Sequence, residues 1–224
     1  MVLSGGMTVC RWLINSLVIV LLFTSCQQKQ VPQEDALPFY NTAAFDAEWI
    51  DKNDAKYGAI HTIDTFSLHD QRGDIVTKDS LDGKIYVANF FFSTCGSICP
   101  KMMQNLNRFQ DTFMKTADVK MVSFSVTPWI DTVKQLQLYA QRHNIMSGKW
   151  YLLTGTQERI YSLGRKSYFA EKTLGLQKDS TEFMHTETML LIDKHARIRG
   201  IYNATQLPDI DRVIEDVRIL QKED

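Results

Sequence analysis

The amino-acid sequence predicts an α/β fold in which a central sheet is flanked by helices. The first observation is the nearly continuous apolar run of residues 85–92, because such runs are typical of strands buried on both faces of a sheet. The second is that strand-like segments alternate with segments of helical periodicity over residues 85–169. The third is a pair of apolar strands followed by a last helix. Strands that alternate with helices favour parallel pairing and right-handed crossovers.

The individual elements follow in order along the chain. A turn containing Gly73 joins two short strands, which predicts an N-terminal hairpin over residues 66–77. The later elements are predicted as strands at 85–92, 119–126 and 150–153, helices at 100–116, 131–143 and 157–169, a hairpin over 188–202, and a final helix from Leu207. A terminal hairpin and helix after a β–α–β unit predict a thioredoxin-like fold with a mixed sheet.

The charge balance limits the classes of partner. Lys and Arg together number 25 and Asp and Glu together number 26, so the formal net charge is −1. Because there is no basic surplus, the sequence indicates no nucleic-acid partner. The chain has 44% hydrophobic and 23% charged residues, which is the composition of a globular protein rather than a disordered one.

The first residues are predicted to form a secretory signal. An apolar stretch from Trp12 to Phe23 follows Arg11 and precedes the small residues Thr24 and Ser25. This is the order of a positive region, an apolar region of about 7–15 residues and a cleavage site. The alternative is a membrane-spanning anchor, but a span needs about 20 apolar residues and this run is shorter.

Cys26 predicts a lipid anchor. The stretch LFTSC at residues 22–26 resembles a bacterial lipoprotein box, in which lipid is attached to the cysteine and the chain is cut before it. The predicted organisation is a lipoprotein signal peptide over 1–25, a polar tether over 26–55 and a folded domain over 56–224. We therefore expect a location in the bacterial cell envelope, periplasmic or on the outer face, with the lipid in a membrane. Export implies an oxidising compartment, where disulfides form readily, so we expect a pair of free thiols only if a function requires it.

Two cysteines lie where the predicted central strand ends and a helix begins. Cys95 and Cys99 are separated by three residues, and Pro100 fits the first helical turn. A helix N-terminus favours thiolate over thiol, and ligands of open α/β sheets tend to bind beyond the carboxyl ends of strands. The pair can close a disulfide, or it can open two thiolates around a metal ion. A purely structural disulfide is the alternative, but its loop is too short to stabilise much.

His185 is the candidate third ligand. It precedes the predicted strand at 188–192, and a thioredoxin-like fold brings the loop before this strand beside the cysteine loop. Two soft thiolates and an imidazole suit Cu(I), or Cu(II) with added water, whereas a structural zinc site usually takes a fourth protein ligand. The alternative for a single histidine is an ordinary hydrogen bond. The other histidines are assigned to predicted turns, a helix end and the segment before the first hairpin: His69, His195, His143 and His61.

The cysteine motif and the later histidine together resemble the Sco/SenC family of copper chaperones. The resemblance is carried by TCGSICP at 94–100, by WYLLTG at 150–155, and by His185 before a strand that ends at Asp193. It covers about residues 56–222. In that family the two cysteines and the histidine bind copper, and the protein helps to assemble the dinuclear copper centre of cytochrome c oxidase. The resemblance implies these roles for Cys95, Cys99 and His185. It implies two partners: a copper-bearing oxidase subunit or another copper protein, and a thiol reductant.

One position departs from the family pattern. Many relatives carry Asp-Pro after the second strand, where this chain has Thr127-Pro128, although Asp131-Thr132 is retained downstream. Thr127 cannot carry a charge, so an acid–base or electrostatic role of that Asp does not carry over.

Three functions compete. The first is a copper-binding assembly factor, which is a carrier and not an enzyme by turnover. The second is a thiol–disulfide oxidoreductase in which Cys95 attacks and Cys99 resolves the mixed disulfide, but the Trp-Cys-x-x-Cys pattern is missing. The third is a peroxidase, whose Pro-x-x-x-Thr-x-x-Cys pattern is also missing. We expect the first, with reduction of disulfides in partner copper sites as the alternative.

Overall fold

The computed structural model of the chain describes residues 36–94, 96, 98–170 and 187–223, with the backbone alone for Ile98 and Cys99. The predicted signal peptide, Cys26 and the first part of the predicted tether lie outside these residues. Cys95 and His185 also lie outside them.

A five-stranded mixed sheet forms the centre of the domain. Its strands are β3 (Ile85–Phe91), β4 (Val119–Ser125), β5 (Trp150–Leu153), β6 (Thr188–Ile192) and β7 (Ile198–Asn203). They lie in the order β5-β4-β3-β6-β7, with β3, β4 and β5 parallel and with β6 antiparallel to both β3 and β7. A separate antiparallel hairpin consists of β1 (Ser67–His69) and β2 (Ile75–Thr77). The predicted mixed sheet and the N-terminal hairpin are therefore confirmed.

Four α-helices in the described ranges cover the two faces of the sheet: α1 (Ile98–Thr112), α2 (Val133–Arg142), α3 (Gln157–Lys166) and α4 (Leu207–Leu220). Two short 3₁₀ helices span Ala55–Ala59 and Lys78–Leu81. Helices α1, α2 and α4 contribute to the hydrophobic cluster on one face of the sheet, and α3 and the hairpin contribute to the cluster on the other. None of these helices has the length and apolar composition that crossing a bilayer requires.

Every residue of β3 is buried because both of its faces are covered. Ile85, Val87 and Phe91 belong to the cluster that contains α1, α2 and α4. Tyr86 and Phe90 point to the other cluster, since successive side chains of a strand alternate between faces. Two-sided burial explains why the sequence of this strand is a continuous apolar run rather than an alternating one.

Helices α1 and α3 end at least three residues earlier than the sequence predicts, whereas α2 ends within one residue of its predicted end. Helix α1 ends at Thr112 instead of 116, because residues 113–116 tighten into a turn in which the Thr116 N–H donates to the Phe113 carbonyl oxygen over 2.9 Å. Helix α3 ends at Lys166 instead of 169. Phe169 has a φ of 52°, a left-handed conformation that cannot continue a right-handed helix.

The later residues of the predicted tether contact the domain through Arg199. Its buried guanidinium donates to the carbonyl oxygens of Leu37 over 2.6 Å and Pro38 over 3.0 Å. The guanidinium also lies 4.1 Å from the ring centre of Phe39 and 2.6 Å from a carboxylate oxygen of Glu223. Arg199 is the second residue of β7, whose first residue pairs with the end of β6 beside the start of β3. Residues 37–39 are thus held at the edge of the sheet where β3 begins.

The hairpin lies directly against the end of β5 at Gly155. His69 and Thr154 exchange two backbone hydrogen bonds of 2.9 Å. A Cβ atom placed on Gly155 would lie 2.5 Å from Cδ2 of Leu68, a side chain buried in the core. The close approach of hairpin and sheet therefore depends on the absence of a side chain at this glycine.

We predict that Gly155→Ala lowers the free energy of unfolding by about 1–3 kcal/mol, because the new methyl group overpacks the contact with Leu68. The measurement is urea unfolding followed by circular dichroism. Gly58→Ala is the matched control, since a Cβ there meets no heavy atom within 4 Å. An equal loss in both variants would contradict the close contact.

His143 follows α2 and is partly buried. Its ring packs on that of Tyr139 with centroids 4.2 Å apart, and its carbonyl oxygen accepts from the Asn107 side-chain amide over 2.9 Å. Burial, with a smaller contribution from the nearby Arg142 charge, lowers the His143 pKa below its usual 6.5. The folded state therefore favours the neutral imidazole, although a helix C-terminus by itself favours a cation.

We predict that His143 makes the stability of the domain sensitive to acid. A lowered folded-state pKa gives a contribution that is present above pH 6.5 and lost as the pH falls below it. Between pH 7.5 and 5.5, the parent should lose more free energy of unfolding than His143→Gln. His69→Gln, which removes an exposed imidazole, serves as the control, and equal losses in the parent and His143→Gln would refute the assignment.

Candidate metal centre

The register of the sheet brings two chain segments to one edge. In the antiparallel pairing of β3 and β6, Asn89 lies opposite Met189, so β6 begins beside the last residues of β3. Cys95 follows the last residue of β3 by four positions, and His185 precedes the first residue of β6 by three. The side-chain positions of both residues remain predictions because both lie outside the described residues.

Cys99 is the second residue of α1, so its backbone lies in the first turn of that helix. The unpaired N–H groups and positive dipole end of a helix N-terminus favour a negative charge there. Pro100 follows Cys99 within the helix start, as predicted. The structure describes only the backbone of Cys99, so the role of its side chain as a ligand or redox group remains a prediction.

The start of β6 is fixed by hydrogen bonds to the last residue of β7 and to the residue that follows it. A carboxylate oxygen of Glu187 accepts from the Asn203 side-chain amide over 2.7 Å. The Glu187 carbonyl oxygen accepts from the Ala204 N–H over 2.8 Å. Glu187 is two positions after His185, so the chain on this side of the predicted site is anchored to the sheet.

The end of β3 is fixed by Asp131, a residue to which sequence reasoning assigned no site role. The Asp131 side chain lies in the loop between β4 and α2 and is 0% exposed. Its carboxylate accepts from the Ser93 N–H over 3.1 Å, from the Ser93 hydroxyl, and from the Ser125 hydroxyl over 2.6 Å. Ser93 is two residues before Cys95. A buried carboxylate is costly without such donors, so these bonds are needed to keep it there.

Thr127 is a further donor to the same carboxylate. Its hydroxyl lies 3.1 Å from an Asp131 carboxylate oxygen. Thr127 therefore supplies a neutral hydrogen-bond donor to the carboxylate of Asp131. The only sequence signal for Asp131 was the retained Asp131-Thr132 pair, and that signal did not indicate its contact with Ser93.

Within the described ranges, no group of three or more His, Cys, Asp or Glu side chains could hold a metal ion. The three predicted ligands are not among these side chains, because Cys95, His185 and the side chain of Cys99 lie outside the described residues.

Comparison with known proteins defines the class and then the family. Solved structures with the same arrangement are Sco-family proteins, so the predicted thioredoxin-like α/β fold is confirmed. The sequence model of the SCO1/SenC family matches residues 54–221. The chain therefore belongs to the SCO1/SenC family, as the cysteine and histidine motifs predicted.

Three solved structures illustrate the similarity. BsSco is a member of the Sco family of cytochrome c oxidase assembly proteins in which a disulfide switch was identified. It is 28% identical to this chain, with a TM-score of 0.63, over 74% of this chain and 96% of its own. A SCO1/SenC family lipoprotein from Bacillus anthracis is 26% identical, also with a TM-score of 0.63, over 72% and 96%. Arabidopsis thaliana ScoI, solved with copper bound, is 27% identical with a TM-score of 0.53, over 71% and 98%.

Proposed function

We propose that this protein is a lipid-anchored copper carrier that helps to assemble the copper centre of cytochrome c oxidase. Copper is its cargo, held by the thiolates of Cys95 and Cys99 and by the imidazole of His185. The observation that carries the proposal is the SCO1/SenC family match over residues 54–221. Two related proteins add support, since one is described as a cytochrome c oxidase assembly protein and one was solved with copper bound.

The backbone of the described residues fits this ligand set. One thiolate would follow β3, the second would sit in the first turn of α1, and the imidazole would precede β6. Antiparallel pairing brings the end of β3 and the start of β6 to the same edge of the sheet. Two soft sulfur ligands and a nitrogen ligand form a donor set that suits copper.

Delivery of copper proceeds by ligand exchange in this proposal. Thiolates or imidazoles of the recipient replace Cys95, Cys99 and His185 one at a time, so the metal is never released to water. The cysteines must be reduced to bind, because only thiolates are effective ligands and a disulfide removes both. In an oxidising compartment the carrier therefore needs a thiol reductant as a second partner.

The lipid anchor at Cys26 places the carrier at a membrane surface. Its support is the lipoprotein box at residues 22–26 together with the related protein from Bacillus anthracis, which is itself described as a lipoprotein. Anchoring confines the carrier to the membrane in which a membrane-bound recipient resides, and this raises the local concentration of one partner for the other.

The copper proposal predicts that the reduced full-length chain in detergent binds about one copper ion and that His185→Ala binds it far more weakly. The expected loss of affinity exceeds the roughly 10–100-fold cost of losing an outer-shell partner. Competition with a chelator of known affinity measures it. His195→Ala is the matched control, because His195 is an exposed histidine in the turn between β6 and β7.

The same variants separate the carrier from the oxidoreductase. If His185→Ala held copper as tightly as the parent but had lost the ability to reduce disulfides, the oxidoreductase would replace the copper carrier as the function. Equal copper affinity in Cys95→Ser and the parent would remove the cysteine from the ligand set.

The anchor proposal predicts that Cys26→Ala abolishes metabolic labelling with radioactive fatty acid and moves the protein out of the membrane fraction. Cys10→Ala should keep both label and location, because that cysteine lies within the predicted signal peptide. Continued labelling of Cys26→Ala would remove the lipoprotein assignment.

A further inference from the structure

The carboxylate of Asp131 joins three parts of the chain. Ser125 is the last residue of β4, Thr127 follows in the next loop, and Ser93 leads from β3 toward the cysteines. The Asp131 carboxylate accepts a hydrogen bond from each of their hydroxyl groups and a fourth from the Ser93 N–H. An ionised carboxylate is a pure acceptor with several lone-pair sites, so all four donors are compatible with it.

The surroundings of Asp131 suit a negative charge. Asp131 directly precedes Thr132, the N-cap residue of α2, so its charge lies near the positive end of that helix. In the described part of the chain, no Lys, Arg or His forms a salt bridge with Asp131. Hydrogen bonds from neutral groups therefore stabilise the buried charge.

Ser93 is held from two sides. Its hydroxyl donates to Asp131 and lies 3.4 Å from the side-chain nitrogen of Gln135 on α2, which donates to it. The last ladder contact of β3 is the 2.9 Å hydrogen bond from the Val126 N–H to the Phe91 carbonyl oxygen. The bonds to Ser93 thus extend the fixed part of the chain two residues beyond β3, to the second residue before Cys95.

We propose that Asp131 is a positioning residue for the cysteine pair. By fixing Ser93, it orders the backbone that presents the first thiolate, so less conformational entropy is lost when copper binds. The copper part of this inference rests on the proposed function, whereas the ordering of the loop does not depend on it. Asp131 acts through Ser93 and is not itself a ligand.

The positioning role is tested by removing, one at a time, the hydroxyl groups of two serines that donate to the Asp131 carboxylate. Asp131→Ala could unfold the domain, so the decisive variants are Ser93→Ala and its matched control Ser125→Ala. Each removes one hydroxyl donor to Asp131, but only Ser93 lies on the cysteine loop. Ser93→Thr keeps the hydroxyl and serves as the rescue variant.

Two measurements on the reduced full-length chain in detergent are compared. The first is copper affinity by chelator competition, for which Ser93→Ala should bind about tenfold more weakly, and Ser125→Ala and Ser93→Thr within about threefold of the parent. The second is amide hydrogen exchange of the copper-free protein, in which the peptide containing residues 93–96 should exchange about tenfold faster in Ser93→Ala alone.

Equal changes in Ser93→Ala and Ser125→Ala, or none in either, would overturn the positioning role. If the parent bound no copper, the proposed copper-carrier function would be refuted, and the hydrogen-exchange rates alone would test the positioning role of Asp131. Faster hydrogen exchange confined to the cysteine loop of Ser93→Ala would still support the anchoring of that loop by Asp131. Unchanged exchange in that loop would refute the proposal.

Discussion

β3 is paired on both edges and covered on both faces, and this constraint organises the domain. Its neighbours β4 and β6 occupy its two edges, and separate hydrophobic clusters cover its faces. The chain can therefore become accessible only at the ends of the strand. At the carboxyl end, the parallel partner β4 also ends and the antiparallel partner β6 begins. Among β3 and its two neighbours, three chain segments thus meet here: the segments that follow β3 and β4 and the segment that precedes β6. In the sequence, the motif cysteines follow β3 and the histidine precedes β6.

Asp131 belongs to the segment that follows β4 and links it to the cysteine loop. Apolar packing positions a strand well but specifies a loop poorly, because a loop has few side chains to bury. Directional hydrogen bonds to a buried acceptor fix the conformation of the loop instead. The stability of the sheet and the geometry of the loop thus have different physical sources, one in β3 and the other in Asp131.

Much of the fold could be predicted because its signals are local. The apolar run of β3 and the strand Trp150–Leu153 follow directly from side-chain type. The contacts of Asp131 could not be predicted, since its donors come from residues up to 38 positions away and follow no periodic pattern. The lowered pKa of His143 could not be predicted either: the sequence indicates a helix end, which favours a cation, but only the fold shows the burial that favours the neutral imidazole.

The contact of Arg199 with residues 37–39 has a consequence for approach. These residues lie at the amino end of β3, whereas the cysteine loop leaves its carboxyl end. Seven residues of strand separate the two ends by about 20 Å. The contacts of Arg199 and the segment that leads to the cysteine motif therefore lie at opposite ends of β3. Under the proposed function, a partner that approaches the cysteine motif would not have to disturb the contacts that hold residues 37–39.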